Sequence, residues 1–388
     1  MDRLRAASTR VAEPGIGSHV FGLDLVRAIA ICTVLHQHGW FFFDHLVHRE
    51  LWHAPMFIDG VTLFFVLSGF LIGRILFNSL AAGRLNGMAD LLHFWKRRWW
   101  RTLPAYFAVL LILIVIAALT GYSMPPWLWR YFLFLQNLAW PHPGFFGEAW
   151  SLCVEEWFYL LLPITLVIAA RARPQWRNRI ILCIIVGFIA GPLVLKHWRY
   201  MQGMGLDRID RDLQMIVLFR LDNLMIGVAG AWAAVHWPTF WKRVSMPGLL
   251  IGIGLLIMIK LKGILAGHSL WFEAMALQNL QSLAVLACMP WLASWQPRSS
   301  MLTRIIAFVA AISYSMYLLN FAVVQLNIMP LLPELMNGLV QVSWRHSLIP
   351  LVVFWGTTLA LATTLHFAFE KPMTTMRDRS RAKVNSGA

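Results

Sequence analysis

Residues 22–40 read GLDLVRAIAICTVLHQHGW, an apolar run of helix-forming length that carries four ionisable side chains. They are Asp24, Arg27, His36 and His38. Ionisable groups are costly in lipid, so they usually face the protein interior or a water-filled cavity. This stretch therefore predicts a membrane helix with a functional polar face.

The spacing of these side chains selects His38 as the candidate reactive group. A helix advances about 100° per residue. Arg27 and His38, eleven positions apart in the sequence, therefore share one face, with roughly 16 Å between their Cα atoms. Asp24 falls within about 60° of that face, whereas His36 points about 180° away from Arg27. His36 is thus the weaker candidate.

The composition of the chain excludes an ordinary soluble protein. Of its 388 residues, 59% are hydrophobic and 13% are charged, whereas about a quarter of a soluble domain is charged. Repeated apolar runs of about 20 residues indicate an all-α, polytopic integral membrane protein. The net charge of +15 lies mostly in short loops between these runs, so it does not indicate a nucleic-acid partner.

Ten apolar segments are candidate transmembrane helices, each roughly long enough to span a bilayer. They cover residues 20–42, 57–78, 103–121, 149–169, 180–197, 214–235, 248–265, 273–294, 305–327 and 345–369. Ten crossings with both termini in the cytoplasm place the main basic clusters inside, as the positive-inside rule requires. Residues 127–140 are short and bounded by prolines, so we expect a re-entrant or interfacial segment on the outer side.

The expected organisation is a cytoplasmic tail over 1–19, a transmembrane domain over 20–372 and a basic cytoplasmic tail over 373–388. All four cysteines fall inside apolar segments, at Cys32, Cys153, Cys183 and Cys288. Their spacing predicts neither a disulfide framework nor a metal site.

A basic cluster follows the second apolar run. On a helix, Arg97 and Arg98 lie four and three residues before Arg101, which gives one cationic face. Guanidinium groups suit phosphates, although anchoring at the inner membrane surface is a simpler role. Ser68 and Gly69 lie within the preceding run, where small residues usually allow close helix packing.

The fourth predicted helix begins with two adjacent carboxylates, Glu155 and Glu156. Such groups are expensive in a membrane unless they have partners or a task. Ser151, Glu155 and Tyr159 recur every four residues and therefore line one face. Glu156 points about 100° away, toward another helix or the interface.

Taken in order, these motifs resemble the acyltransferase-3 family of membrane-bound O-acyltransferases. They are LDxxRAIA at 23–30, an arginine and a histidine separated by ten residues, GVxLFFVLSGFL at 60–71, RRxxR at 97–101, WSLxVEE at 150–156 and EKP at 370–372. The resemblance runs from about residue 21 to residue 372. The ordered combination is far more specific than any single motif.

The resemblance implies a ten-helix enzyme, without an appended periplasmic hydrolase-like domain, in the bacterial cytoplasmic membrane. Such enzymes move acyl groups, commonly acetyl from acetyl-CoA, onto hydroxyls of glycans and other acceptors. By resemblance His38 is the leading catalytic residue, and Arg27, Arg97, Arg98 and Arg101 bind the donor. Acyl-CoA enters as a co-substrate, no tightly bound cofactor is expected, and the partners are membrane lipids and a glycan or lipid-linked glycan.

Two positions depart from the family pattern. The family often has aspartate where Thr62 stands and histidine where Asn320 stands. The second departure removes any role for a second histidine at that site.

Acyl transfer to a hydroxyl needs a base for the alcohol's proton, and neutral histidine is suited to this near pH 7. We expect His38 in a cavity between the first, second and fourth helices, acting as base or briefly carrying the acyl group. Glu155 is the predicted catalytic partner that orients it. The predicted supporting residues are Asp24, Ser68, Ser151 and Tyr159. The outer loops contain four residues that suit a polar acceptor: His142, Glu148, Arg208 and Arg211.

Three alternatives remain at this stage. Intramembrane charges also form the pathway of transporters, although internal repeats, common in transporters, are not evident in the sequence. A glycan-binding or flipping component without chemistry is a second alternative. Within the enzyme class, the acceptor is either a polysaccharide or a small molecule such as an antibiotic or serine.

Overall fold

A computed structural model describes residues 20–39, 42, 58–203, 205, 208–332 and 344–375. Within these ranges the chain forms helices joined by turns, and none of these residues lies in a β-strand. The predicted all-α class is therefore confirmed. The tails predicted over 1–19 and most of 373–388 lie outside the described residues.

Each of the ten predicted segments contains a long helix, which we number in chain order. The helices are α1 (Phe21–Gly39), α2 (Gly60–Ala81), α3 (Met88–Thr120), α4 (Ala149–Ala170), α5 (Pro174–Met201), α6 (Leu221–His236), α7 (Ser245–Ala266), α8 (Leu277–Leu292), α9 (Met301–Leu319) and α10 (Trp344–Leu365). Two of them continue as π-helix, α9 through Asn320–Ile328 and α10 through His366–Glu370.

Among the described residues, seven helices are long and apolar enough to cross a membrane. They are α2, α3, α4, α5, α7, α9 with its continuation, and α10. Helices α6 and α8 have 16 residues each, or about 24 Å at 1.5 Å per residue, which is less than the roughly 30 Å of bilayer hydrocarbon. The protein is an integral membrane protein, and ten crossings with cytoplasmic termini stay a prediction.

Helix boundaries follow local chemistry. Asp59 caps α2, because its carboxylate accepts hydrogen bonds from the backbone N–H groups of Val61 and Thr62. Ser300 and Thr303 form a reciprocal capping box at the start of α9, which satisfies backbone donors left over by the first helical turn. Gly121 ends α3 in the left-handed conformation, with φ at 71°, which favours glycine.

Helix α2 packs closely against α6 through two glycines. A Cβ added to Gly69 would lie 1.9 Å from Leu224 O, and one added to Gly227 would lie 2.2 Å from Val66 O. Only a residue without a side chain fits at either position, as expected for small residues between membrane helices. The packing role predicted for Gly69 is confirmed.

The segment over residues 127–140 forms no helix of spanning length, as predicted. Its one helical piece is the four-residue Trp129–Phe132. Two amides at its end tie it to the start of α4: Gln136 donates to Ala149 O at 3.1 Å and Asn137 donates to Trp150 O at 3.0 Å. These bonds fix where α4 begins relative to the preceding loop.

Candidate active site

A cavity of about 350 Å³ lies among α1, α2, α3, α4, α9 and the end of α10. It is broader than the predicted space between α1, α2 and α4, because α3 and α9 also form its walls. Seven of the predicted site residues line it: Asp24, Arg27, Ser68, Arg98, Arg101, Ser151 and Glu155. His38, Arg97 and Tyr159 are not among its lining residues.

One wall of the cavity is strongly charged. Arg27 Nη1 donates to Asp24 Oδ1 at 2.8 Å, one turn earlier on α1. Arg101 and Glu370 also line the cavity, and Glu370 Oε2 accepts hydrogen bonds from Ser315 and from the ring of His366. The lining formed by described residues carries three guanidinium groups and three carboxylates, so its cations are largely balanced before any ligand binds.

Arg98, Glu155 and Tyr159 form a second charged group within this wall. Arg98 Nη2 lies 2.6 Å from Tyr159 OH and 3.3 Å from Glu155 Oε2, and its Cζ lies 4.1 Å from the centroid of the Tyr159 ring. Tyr159 donates its only hydroxyl hydrogen to Glu155 Oε2 at 2.8 Å. Ser68 must therefore donate in its own hydrogen bond to Tyr159 OH.

Arg98 keeps one buried donor, Nε, without a hydrogen-bond partner among the described residues. An unpartnered buried donor is costly, and an anionic ligand would satisfy it. The neighbouring Glu156 accepts from Trp99 and Thr102 of α3, at 3.1 Å each. This confirms that Glu156 points away from the Glu155 face to meet another helix.

His38 lies at the end of α1 against the start of the π-helical segment that continues α9. Its Nδ1 is hydrogen-bonded to Asn320 Oδ1, and its ring centroid lies 4.8 Å from that of Phe321. The orientation of the Asn320 amide is fixed, because Nδ2 donates to Met316 O at 3.1 Å and to Tyr317 O at 2.8 Å. Carbonyl oxygens only accept.

This arrangement sets the tautomer of His38. Asn320 Oδ1 can only accept, so Nδ1 of His38 must carry the hydrogen. In the neutral ring, Nε2 then keeps its lone pair and is the atom able to take a proton. Asn320, rather than Glu155, is thus the hydrogen-bond partner that orients His38.

The predicted pairing of Glu155 with His38 differs from the contacts described here. The Glu155 carboxylate accepts from Arg98 and Tyr159. The sequence distinguished Asn320 only as a departure from the family pattern. Its contact with His38 was not predicted, because the two residues are 282 positions apart and no local spacing could reveal it. The signal available was an amide in an otherwise apolar run.

Tyr317 connects the His38 contact to the cavity. It lines the cavity, its carbonyl accepts from Asn320, and its hydroxyl lies 2.6 Å from Ser151 Oγ. One turn of α9 therefore separates the cavity from the group that orients His38. Because α1 is one continuous helix, Arg27 in the cavity and His38 remain about 16 Å apart along it.

The acyltransferase domain that defines the acyltransferase-3 family matches residues 20–369. The chain belongs to the acyltransferase-3 family. The expectation drawn from the ordered motifs is confirmed.

Relatives of the chain include bacterial O-acetyltransferases. It is 29% identical over 167 residues to the peptidoglycan O-acetyltransferase OatA of Listeria monocytogenes, covering 39% of this chain and 24% of that protein. It is 27% identical over 276 residues to the O-acetyltransferase OatA of Staphylococcus aureus, covering 64% and 41%. A further Staphylococcus aureus relative, SACOL0978, is 25% identical over 341 residues, covering 79% and 51%.

The chain thus spans between about a quarter and a half of the length of these curated relatives. No solved structure gives a significant match.

The two departures from the acyltransferase-3 pattern have separate local roles. Thr62 donates through its backbone N–H and its hydroxyl to Asp59 Oδ2, at 2.8 and 2.9 Å, so it completes the cap of α2. Asn320 takes the place of a histidine and holds His38.

The outer-loop residues predicted to meet an acceptor differ in exposure. Glu148 is buried, with 2% of its surface exposed, and burial raises its pKa to about 7. Burial lowers the pKa of His142 to about 4, so that ring is neutral at pH 7. Arg208 and Arg211 are exposed and remain candidates for surface contacts.

Arg220 and Asp222, close together near the start of α6, each have a partner distant in the sequence. Asp222 Oδ2 accepts from Lys196 Nζ at 2.7 Å, with both side chains buried. Arg220 Nη2 lies 3.8 Å from Asp59 Oδ2.

Proposed function

We propose that the protein is a membrane O-acyltransferase that moves an acetyl group from acetyl-CoA to a hydroxyl of a surface or exported glycan. The main support is that one cavity contains Arg27, Arg98 and Arg101. Tyr317, which lines the same cavity, lies one helical turn before Asn320, the hydrogen-bond partner of His38. The proposed location is the bacterial cytoplasmic membrane.

The cavity has the features expected of a site for a phosphorylated donor. Guanidinium groups bind phosphate oxygens in two-point contacts, and the lining includes three of them. Arg98 Nε is a buried hydrogen-bond donor without a partner among the described residues, and a phosphate oxygen would supply its acceptor. Arg97 lies outside this lining, so we assign donor binding to Arg27, Arg98 and Arg101.

His38 is proposed as the base. Nε2 takes the proton of the acceptor hydroxyl while the oxygen of that hydroxyl attacks the thioester carbonyl carbon of the donor. The carbon–sulfur bond then breaks, and the CoA thiolate leaves and takes up the proton from the imidazolium. In the second route, Nε2 attacks the carbonyl carbon first, the carbon–sulfur bond breaks and CoA leaves as the thiolate. The acceptor hydroxyl oxygen then displaces the acetyl group from Nε2, and the hydroxyl proton passes through Nε2 to the CoA thiolate.

A glycan acceptor is supported by the name of the Listeria monocytogenes relative, a peptidoglycan O-acetyltransferase. The exposed Arg208 and Arg211 lie between α5 and α6, on the proposed outer side, where they offer polar contacts. A small-molecule acceptor would lead to the same chemistry at His38, and the experiment below separates the two.

The first prediction concerns His38. We expect His38→Ala to abolish transfer while the protein still accumulates in the membrane, because the variant lacks Nε2, the proposed base. The measurement is the O-acetyl content of surface glycans, by mass spectrometry, from a deletion strain carrying each variant.

His36→Ala is the matched control, since His36 points away from the Arg27–His38 face. Normal acetylation with His38→Ala would refute the role of His38. A deletion strain with unchanged glycans would refute the glycan acceptor.

A further inference from the structure

The contact between His38 and Asn320 depends on a change of helix type. Helix α9 ends at Leu319, and the chain continues as π-helix from Asn320 to Ile328. Asn320 and Phe321, the first two residues after the change, are the residues that touch His38. A nine-residue π-helical segment at the end of an α-helix is unusual.

Glu148 contacts this segment from another helix. Its Oε1 accepts from the backbone N–H groups of Phe321 at 2.8 Å and Ala322 at 2.9 Å. Glu148 stands at the N-cap position of α4, yet its side chain makes no hydrogen bond to that helix. A carboxylate in this position normally caps its own helix, whereas here it reaches across to the π-helical segment.

The backbone around Glu148 also contacts α9 and the π-helical segment. The Glu148 carbonyl oxygen lies 3.3 Å from the hydroxyls of both Ser151 in α4 and Tyr317 in α9. A Cβ on the preceding Gly147 would lie 2.6 Å from Phe321 Cδ1. The Phe321 ring therefore lies close to the backbone at Gly147 and also contacts the ring of His38.

We propose that Glu148 is a positioning residue, which clamps the first turn of the π-helical segment so that Asn320 and Phe321 hold His38 with Nε2 free. This inference rests on the proposed function of His38. In this inference Glu148 acts through the backbone, since it is buried and its Oε1 accepts from both N–H groups, while its Oε2 has no hydrogen-bond partner among the described residues.

The test compares two substitutions at Glu148 in the purified full chain. Acetyl-CoA is the donor, and glycan from the deletion strain is the acceptor. Glu148→Gln keeps an oxygen able to accept both N–H groups, so we expect kcat within about threefold of wild type. Glu148→Ala removes the acceptor, and we expect kcat to fall about 10- to 100-fold, because small displacements of a reacting group cost about that much.

The KM for acetyl-CoA should stay within about twofold in both variants, because Arg27, Arg98 and Arg101 lie in the separate cavity and uniform donor binding is retained. A loss that appears mainly as a raised donor KM would overturn the inference. Equal loss in Glu148→Gln and Glu148→Ala would overturn it as well.

A double-mutant cycle shows whether Glu148 acts through Asn320. If it does, adding Glu148→Ala to Asn320→Ala should lower kcat by less than about twofold further, since coupled residues are not additive. If the fold-losses in kcat of the two single variants multiply fully in the double variant, the inference is overturned. His38→Ala, run beside them, tests the proposed function separately: if that variant keeps wild-type transfer, the role of His38 fails, whatever the Glu148 variants do.

Discussion

Asn320 orients His38 with a neutral amide, where many enzymes use a carboxylate. An amide oxygen fixes the ring and its tautomer, but it stabilises the imidazolium less than a charged partner would. The amide itself is held by Met316 O and Tyr317 O, which prevents it from turning. The neutral amide of Asn320 therefore orients the His38 ring without adding another charge in the membrane region, where a charge would be costly.

We expect Asn320→Ala to lower kcat about 10- to 100-fold at unchanged donor KM, because His38 would lose its fixed tautomer and orientation. The assay is the same acetyl-CoA-dependent transfer. Asn327→Ala is the control, since Asn327 lies in the same π-helical segment and donates to Ala322 O at 2.6 Å, with no contact to His38. Equal losses in both variants would indicate a general disruption of the segment instead.

Arg98 should be sensitive to replacement by lysine. Its guanidinium contacts Glu155 and stacks over Tyr159, and a single ammonium group cannot do both in the same geometry. We expect Arg98→Lys to raise the KM for acetyl-CoA about tenfold, with a smaller effect on kcat. Arg171→Lys, at the exposed C-cap of α4, is the control, and an unchanged KM in Arg98→Lys would refute the donor assignment.

At the scale of single residues, the sequence identified five of the six charged side chains, among the described residues, that line the cavity. Helical spacing placed Arg27 and Asp24 on one polar face, and the four-residue repeat predicted that Glu155 and Tyr159 are neighbours, which they are. It failed where partners come from distant helices. Asp222 pairs with Lys196 of α5, which no spacing within the sixth segment could indicate.

At the scale of helices, hydropathy located the elements but missed some of their boundaries. Helix α3 begins at Met88, well before the predicted residue 103, because its first turns are basic and amphipathic yet continue the same helix. Helix α6 begins at Leu221, after the predicted residue 214. The residues before it form a short π-helical turn and a 3-10 turn. Apolar content does not distinguish these helix types.

The contact between α2 and α6 gives a prediction at this scale. Gly69→Ala would place a Cβ 1.9 Å from Leu224 O, so the helices must separate, at a cost of about 1–3 kcal/mol. We expect a lower apparent Tm in detergent and a lower folded yield. Gly254→Ala in α7 is the matched control, because nothing lies within 4 Å of its added Cβ; a Tm no lower than the control's would contradict the tight contact.

At the scale of the whole molecule, the proposed reaction links two sides of the membrane. The cavity proposed to bind the donor holds Arg27, near the start of α1, and His38 lies near the end of the same helix. Composition and the order of motifs were enough to predict a polytopic acyltransferase-3 protein. They could not predict the contact between His38 and Asn320, because it joins α1 to a π-helical segment 282 residues later in the chain.

Cysteine labelling tests the predicted orientation. Ser123 and Ser299 are exposed and lie after α3 and before α9, on opposite sides in the ten-crossing arrangement. With Cys32, Cys153, Cys183 and Cys288 replaced, we expect Ser123→Cys to react with an impermeant maleimide in intact cells. Ser299→Cys should react only after the cells are permeabilised, and labelling of both from one side would refute the topology.

The π-helical continuation of α9 also affects how this chain should be aligned and recombined with relatives. Each hydrogen-bonded turn of a π-helix holds one residue more than an α-helical turn, so the segment from Asn320 to Ile328 behaves as a one-residue insertion. Deleting one residue there restores α-helical winding and rotates everything that follows by about 100°. A chimera with a single junction after Ile328 inherits His38, Asn320 and the whole segment from one parent, whereas any junction between His38 and Asn320 takes the two contact residues from different parents.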